Sequence, residues 1–199
     1  PLNDKGLLAI DGYHRLKREQ TQALCEAERY GIVDVSKTAK GVLPARTRQV
    51  KVANAVDPDG KDTRPLKSFT HMAAAVASIL DPTSIARVEL TIFVPDDVSI
   101  EKINAITGNE DYDPLIHNLS EVIKWIWFKE PEIAFTPEAL ALLSEVATRL
   151  HRKFYCRFVP LTAANIKWKI ARLAAALAGL LLSTDDNFSK VIVDKDHVR

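Results

Sequence analysis

The spacing of apolar and polar residues differs between the two halves of the chain. In the first half, strand-like apolar character covers residues 7–11, a stretch at 31–54 and residues 89–94, and helical periodicity covers residues 17–30 and 67–79. Strands that alternate with helices favour a mostly parallel sheet with helices on both faces. The pattern of the first half therefore predicts an α/β fold.

The second half is predicted to be mainly helical. Helical periodicity covers residues 99–107, 114–128, 136–153 and 162–183, and one late strand-like run stands at 191–193. The third of these helices begins with Thr136 as an N-cap and Pro137 at the first helical position. The polar, turn-rich segment 108–114 is the expected boundary. We therefore expect an α/β domain at 1–110 and a helical domain at 111–199.

Composition limits the classes of protein that the chain can belong to. The 199 residues are 47% hydrophobic and 27% charged, with a formal net charge of +1. This length and hydrophobic content suffice for a sizeable core. Cys25 and Cys156 are too few for a disulfide framework or a metal site, and the histidines show no ligand spacing. The apolar run at 173–182 is too short to span a membrane, and no leader pattern occurs. We therefore expect a cytoplasmic protein with no membrane partner.

An acidic residue stands directly after the first predicted strand. The run LLAI ends in Asp11, and Gly12 follows it. A parallel strand buried on both faces stays apolar until its carboxyl end reaches a ligand crevice, where α/β domains that hydrolyse nucleotides hold their magnesium. A buried strand that ends in a polar turn is the alternative interpretation.

Residues 30–54 predict a β-hairpin with a basic tip. Apolar residues alternate on both sides of the segment 36–41, which contains Lys37 and Lys40. A projecting pair of cations suits the phosphate backbone of a nucleic acid, since such contacts release counterions without reading sequence. The alternative is that the two lysines protect an exposed hairpin edge from aggregation.

The order of these segments resembles the AAA+ motor of the minichromosome maintenance (MCM) replicative helicases, and more loosely the magnesium-chelatase group of the same superfamily. The likeness covers residues 7–97, is strongest over 20–54 and is weaker over 136–199. The likeness depends on four features in the same order, namely a helix with a small-residue face, a hairpin with a lysine tip, the sequence LPART after the hairpin tip, and a strand ending in Ala-Asn. It implies a partial AAA+ core, a mostly parallel sheet with helices and a hairpin insertion, followed by an α-helical lid.

The resemblance also implies roles for particular residues. By this likeness Asp11 matches the Walker B aspartate that helps to hold magnesium, and Asn54 matches the sensor residue that bonds the attacking water or the terminal phosphate. Lys37 matches the lysine of a DNA-contacting hairpin. Arg87 matches the arginine finger that is offered to a neighbouring subunit's nucleotide. A turn role for Asn54 and an ion pair between Arg87 and Glu89 are the alternatives.

Three features depart from the family pattern. No Gly-x-x-x-x-Gly-Lys-Ser/Thr loop occurs in the sequence. A fragment of a longer protein is expected, because the sequence starts in mid-domain, and loss of the loop in an ancestor is the alternative. Gly12 stands where an acidic general base usually follows the Walker B aspartate. The segment NIKWKIARLAAALAG resembles the lid helix that carries a second sensor arginine, with Asn165 at the matching position. Lys167 and Lys169 are the candidates to supply that charge, and Arg172 is expected at the rim of the core.

The sequence thus predicts part of an MCM-like, ATP-dependent DNA helicase that forms a homo-oligomeric ring, expected to be a hexamer, around DNA. ATP and Mg²⁺ are the expected cofactors of the whole protein, and we expect neither to be held by these 199 residues alone. Asp11, Asn54 and Lys167 are the expected nucleotide contacts, and Asp11, Asn54 and Arg87 the catalytic residues. A degenerate, non-hydrolysing structural or regulatory subunit is the alternative, so enzymatic activity stays open.

Overall fold

The structure is a computed structural model that describes residues 4–35, 41–57, 62–94, 112–156, 160, 162 and 165–199. Contacts divide the chain into two compact units, Pro1–Ile85 and Ala86–Arg199. The division falls earlier than the expected boundary at 108–114, of which residues 108–111 lie outside the described part of the chain. Helices and short strands occur in both units, so the structure is of the α/β class.

The first unit, Pro1–Ile85, combines two strand pairs with helices. Its strands are β1 (Leu7–Ile10), β2 (Ile32–Val35), β3 (Gly41–Pro44) and β4 (Arg48–Lys51), and its helices are α1 (Arg18–Tyr30), α2 (Met72–Ile79) and α3 (Pro82–Ile85). Short 3-10 turns occupy Tyr13–Arg15 and Leu66–Ser68. Strands β1 and β4 are parallel, whereas β2 and β3 are antiparallel. The described strands therefore form separate two-stranded sheets instead of the single sheet expected from the sequence.

The predicted hairpin is confirmed by strands β2 and β3, which pair with Ile32 opposite Pro44. Its tip, with Lys37 and Lys40, lies outside the described residues. Helix α1 ends at Gly31, whose backbone is left-handed with φ 64°. A Cβ atom there would come within 2.8 Å of Arg46 Cγ. The left-handed conformation therefore favours glycine at this position, and a larger residue would also have to displace the exposed Arg46 side chain.

The buried residues of the first unit are mostly small. They are Tyr13, Ala27, Ala45, Ala55, Val56, Ala75, Val76, Ser84 and Ile85. Apolar side chains of its short strands remain exposed, among them Leu7 on β1, Val42 on β3 and Val50 on β4. The first unit therefore buries little apolar surface for its length, which limits the stability that burial can provide.

The second unit, Ala86–Arg199, is built from helices and one pair of parallel strands. Its strands are β5 (Glu132–Phe135) and β6 (Lys190–Val193), and its helices are α4 (Tyr112–Lys129), α5 (Pro137–Phe154), α6 (Ile166–Leu180) and α7 (Lys195–Val198). The helices predicted at 114–128, 136–153 and 162–183 are confirmed as α4, α5 and α6, and the late strand as β6. The helix predicted at 99–107 lies outside the described residues.

One continuous apolar cluster forms the core of the second unit. It joins residues of α5, α6, β6 and α7, namely Ala139, Leu143, Val146, Ala171, Ala174, Ala178, Val191, Val193 and Val198. Helix α5 begins as predicted, because the Thr136 hydroxyl oxygen accepts a hydrogen bond of 3.2 Å from the Ala139 amide and Pro137 follows the cap. The helices of the described part of the chain include none that is both long and apolar enough to cross a membrane.

The strand predicted at residues 89–94 is wrong. These residues join no ladder in the structure, and Leu90, Ile92 and Val94 are exposed. Their composition favours a strand, but a strand forms only where a neighbouring backbone supplies the matching donors and acceptors. Local composition therefore misled the prediction, since it carries no information about such a neighbour.

Candidate functional site

The carboxyl ends of β1 and β4 place Asp11 and Asn54 at the same edge of a parallel strand pair. Asp11 follows β1 directly, and Asn54 lies three residues beyond β4. The pairing continues past both strands, because the Val52 amide donates to the Ile10 carbonyl at 2.8 Å and the Tyr13 amide donates to the Val52 carbonyl at 3.0 Å. Both side chains are exposed. The two residues that the resemblance assigns to the nucleotide thus share one edge.

Gly12 has a conformational reason to stand after Asp11. Its backbone is left-handed, with φ 68° and ψ 34°, and a Cβ atom added there would meet nothing closer than Arg15 Cδ at 3.8 Å. Space is therefore available for a larger side chain, whereas the conformation itself costs an L-residue about 1–2 kcal/mol. The turn, as it stands, disfavours an acidic residue at this position.

His14 connects the two strand ends. Its Nδ1 atom accepts a hydrogen bond of 3.2 Å from the Asn54 amide, so the ring proton lies on Nε2 in the neutral histidine. Nε2 is buried and has no hydrogen-bond partner among the described residues. No sequence pattern indicates a role for His14, because only the parallel pairing of β1 with β4 brings it beside Asn54.

A buried aromatic ring supports this edge. Tyr13 is 4% exposed, and the Lys51 ammonium group lies 4.8 Å from the centre of its ring. Lys51 also forms an ion pair with Glu28 of α1. The pKa of Tyr13 is raised to about 12, mainly by burial and to a smaller extent by the negative charges of the nearby Cys25 and Glu28. The turn after β1 is thereby fixed against β4 and α1.

The donor set at the edge fits a magnesium ion that takes most of its ligands from a nucleotide. Magnesium in proteins is bound through one or two carboxylates, with phosphate oxygens and waters completing the octahedron. Asp11 offers one exposed carboxylate. No group of three His, Cys, Asp or Glu side chains that could hold a metal ion is found in the described ranges. One exposed carboxylate is a ligand that a phosphate-bound magnesium ion can use.

In the second unit, helix α6 holds the backbone on both sides of Arg87. The Asn165 side-chain amide donates to the Ala86 carbonyl at 2.9 Å, and the Lys169 ammonium group donates to the Val88 carbonyl at 2.6 Å. The Arg87 side chain is half-buried and makes no hydrogen bond or ion pair within the described ranges. Its backbone is thus restrained while its guanidinium group stays available.

The same helix also binds the next acidic residue. Arg172 Nη2 donates to Glu89 Oε1 at 2.6 Å, and both side chains are partly exposed. Glu89 is therefore paired with Arg172. The alternative interpretation of Arg87, an ion pair with Glu89, is not what the structure has. Arg172 was expected at the rim of the core, but nothing in the sequence indicated its partner.

Lys169 is buried, with 4% of its surface exposed. Burial lowers the pKa of Lys169, the nearby Glu89 opposes this effect, and Arg172 adds to it. Lys167 lies on the exposed side of α6, where its ammonium group donates to the Ser144 hydroxyl at 2.8 Å. The two lysines that were candidates for a missing sensor charge therefore have different surroundings, and the contact of Lys169 lies beside Arg87.

The structure brings the expected residues into two groups, Asp11 with Asn54 in the first unit and Arg87 with the side chains of α6 in the second. A scan of protein-family models finds no match to this chain, and a search of curated proteins finds no significant match. The function of this chain is accordingly inferred from the geometry of these two groups and from the resemblance of its sequence to MCM motors.

Proposed function

We propose that this chain is part of an MCM-like motor that hydrolyses ATP with Mg²⁺ and acts on DNA as a homo-oligomeric ring. One observation carries the proposal, namely that Asp11 and Asn54 share the carboxyl edge of two parallel strands. Ligands of α/β proteins bind outside the carboxyl ends of their strands. A carboxylate and an amide at that edge suit a magnesium-bound phosphate and its attacking water.

Each group of residues has a distinct role in this proposal. Asp11 would hold the magnesium ion, whose charge supports the transferring phosphoryl group. Asn54 would orient the water or the terminal phosphate by hydrogen bonding. Arg87 would stabilise the charge that develops in the transition state on a neighbouring subunit's nucleotide. Gly12 supplies no base, so a base from elsewhere or slow turnover is expected.

Replacement of the magnesium ligand tests the proposal in the complete protein. We expect Asp11→Asn to lower magnesium-dependent ATP turnover by about 10²-fold or more, because a metal ion contributes several kcal/mol to the transition state. The matched control is Asp57→Asn, which changes an aspartate of the same unit that pairs with Arg64. Equal turnover of the Asp11 variant and the wild-type protein would contradict the assignment.

A second candidate function is a non-hydrolysing structural or regulatory subunit, and the left-handed Gly12 after Asp11 favours it. Replacement of Arg87 separates the two candidates. In a motor, Arg87→Ala is expected to lower turnover by about 10³-fold or more, since an arginine finger acts on charge that develops in the transition state. In a scaffold, the complete protein has no turnover above background with Mg²⁺ and DNA, and the variant changes only assembly.

The hairpin lysines test the DNA part of the proposal. If Lys37 and Lys40 touch phosphates, replacing both with alanine is expected to weaken binding about equally for all sequences. The slope of log affinity against log salt should flatten by roughly 0.7–0.9 per lost contact. The control replaces Lys124 and Lys129 of α4 in the same way. An unchanged slope in the hairpin variant would assign its lysines to protection of the exposed edge.

A further inference from the structure

Three polar side chains of α6 share one helix face. Asn165 occupies the N-cap position without a cap hydrogen bond from its side chain, and Lys169 and Arg172 follow at spacings of four and three residues, which places all three on the same side. Their partners are the carbonyls of residues 86 and 88 and the carboxylate of residue 89. We call Asn165, Lys169 and Arg172 the clasp face. It contacts the backbone on both sides of Arg87.

We propose that the clasp face positions Arg87 for a phosphate group of the nucleotide bound by a neighbouring subunit. The proposal rests on the proposed function, because it takes that nucleotide as the anion. Two fixed carbonyls flank Arg87, while its half-buried guanidinium group has no partner in the described part of the chain. This combination is what an arginine needs if it is to be presented to a ligand from outside its own chain.

The chemistry of Lys169 favours a role in positioning Arg87 over a role in packing alone. A methionine at this place would bury a similar stem without removing an ammonium group from water, which is costly for a charge. What the ammonium group adds is a directed hydrogen bond to the Val88 carbonyl at 2.6 Å. That bond restrains the backbone next to Arg87, so the buried charge has a local geometric effect that an apolar residue lacks.

Restraint matters because the effect of an arginine on a phosphoryl group depends on its placement. A guanidinium group bonds phosphate oxygens through a rigid fork of donors. A displacement of about 1 Å at a reacting centre can cost 10²-fold in rate. The clasp residues are therefore positioning residues and are not expected to touch the nucleotide themselves.

The restraint is measurable without any enzymatic activity, by trypsin cleavage of the 199-residue chain after Arg87. We expect Lys169→Met to speed this cleavage about tenfold, since losing the hydrogen bond of a buried charged group raises local opening by that factor or more. Arg172→Gln should speed it by up to about fivefold, since the ion pair with Glu89 is exposed. Cleavage after Arg15, in the other unit, is the internal reference. An unchanged rate of cleavage after Arg87 in both variants would contradict the proposal that the clasp face restrains the backbone beside Arg87.

Charge reversal of the exposed pair tests positioning in the complete protein. We expect Arg172→Glu and Glu89→Arg each to lower kcat by between tenfold and about 10²-fold with little change in KM, and the double variant to recover most of the loss. Neither change should lower kcat further in an Arg87→Ala background, because the positioned group is then absent. The same reversal of the exposed pair Glu121 and Lys124 on α4 serves as the control.

The outcomes separate this proposal from the proposed function. A wild-type protein without turnover contradicts the motor, and with it the role of Arg87. Normal turnover of the wild-type protein and of both charge-reversed variants overturns positioning alone and leaves the motor standing. Lower kcat in those variants without recovery in the double variant, or with equal losses in the Arg87→Ala background, also overturns positioning, since it indicates a general structural defect.

Discussion

The second unit contains a continuous buried apolar core. The first unit contains the expected magnesium-binding edge, on strands whose apolar side chains are partly exposed. In the second unit, Leu143 of α5 and Val193 of β6 are almost completely buried in one cluster. In the first unit, Val42 and Val50 stand on strands and are about half exposed. Buried apolar area is the main source of stability. The two units should therefore differ clearly in their free energy of unfolding.

This difference suits the roles proposed for the two units. Binding sites are commonly drawn from regions of lower local stability, while rigid elements hold the groups that must keep one geometry. Asp11 and Asn54 lie on the unit with the smaller core. Arg87 lies beside α6, a helix whose other faces build the apolar cluster. The stable unit is therefore the one that can hold an arginine in place.

The largest effect is expected from a cavity in the core of the second unit. Leu143→Ala should lower the free energy of unfolding by about 3 kcal/mol, because the surrounding helices cannot close the space. The tryptophans Trp125, Trp127 and Trp168 all lie in this unit. Urea unfolding followed by tryptophan fluorescence therefore reports on it alone.

The matched change in the first unit is Val50→Ala on β4, where the side chain is 48% exposed. We expect it to cost less than about 1 kcal/mol, measured by hydrogen exchange of peptides from β4. A larger cost for Val50→Ala than for Leu143→Ala would break the comparison, because it would show that the first unit has the tighter core.

An intermediate effect is expected at alkaline pH in the first unit. The pKa of Tyr13 is about 12 in the folded chain and 10.0 ordinarily. The stability that this raised pKa contributes is fully present below pH 10 and is lost as the pH rises through 12. The reason is that Tyr13 of the unfolded chain releases its proton at a lower pH than Tyr13 of the folded chain. The loss amounts to about 2 kcal/mol.

Far-UV circular dichroism between pH 10 and 12 should show this loss, while tryptophan fluorescence follows the second unit in the same samples. Tyr13→Phe removes the ionising hydroxyl and should remove the pH dependence over that range. If the phenylalanine variant unfolds over the same pH range as the wild-type chain, Tyr13 is not the cause.

An effect smaller than that of Tyr13 ionisation is expected at the start of α5. Thr136→Ala removes the oxygen that accepts the Ala139 amide and should cost about 1 kcal/mol. Thr148→Ala is the control within the same helix, because Thr148 is exposed and its hydroxyl donates to the Ser144 carbonyl of that helix. The control should be neutral or slightly stabilising, since alanine is the better helix former. Tryptophan fluorescence in urea measures both, and equal costs would remove the role of the cap.

Several elements were predictable from local sequence because their causes are local. Thr136 and Pro137 define the start of α5 through a hydrogen bond and a backbone angle that involve only the next few residues. The β2–β3 hairpin joins residues that are close in the chain. Asp11 could be singled out because an acidic residue after an apolar strand is itself a local pattern. Hydrophobic spacing likewise predicted a helix at 162–183, which the structure has as α6.

The remaining features depend on contacts between distant parts of the chain. Strand β5 was not predicted because its partner β6 lies more than fifty residues away. Residues 89–94 have strand-like composition but pair with no strand among the described residues. His14 meets Asn54 only through the parallel pairing of β1 with β4. Lys169 meets Val88 only because α6 packs beside it. Sequence by itself determined the longer helices, the start of α5 and the β2–β3 hairpin, whereas tertiary structure decided the contacts between remote segments, since a hydrogen bond between remote residues leaves no local trace in either of them.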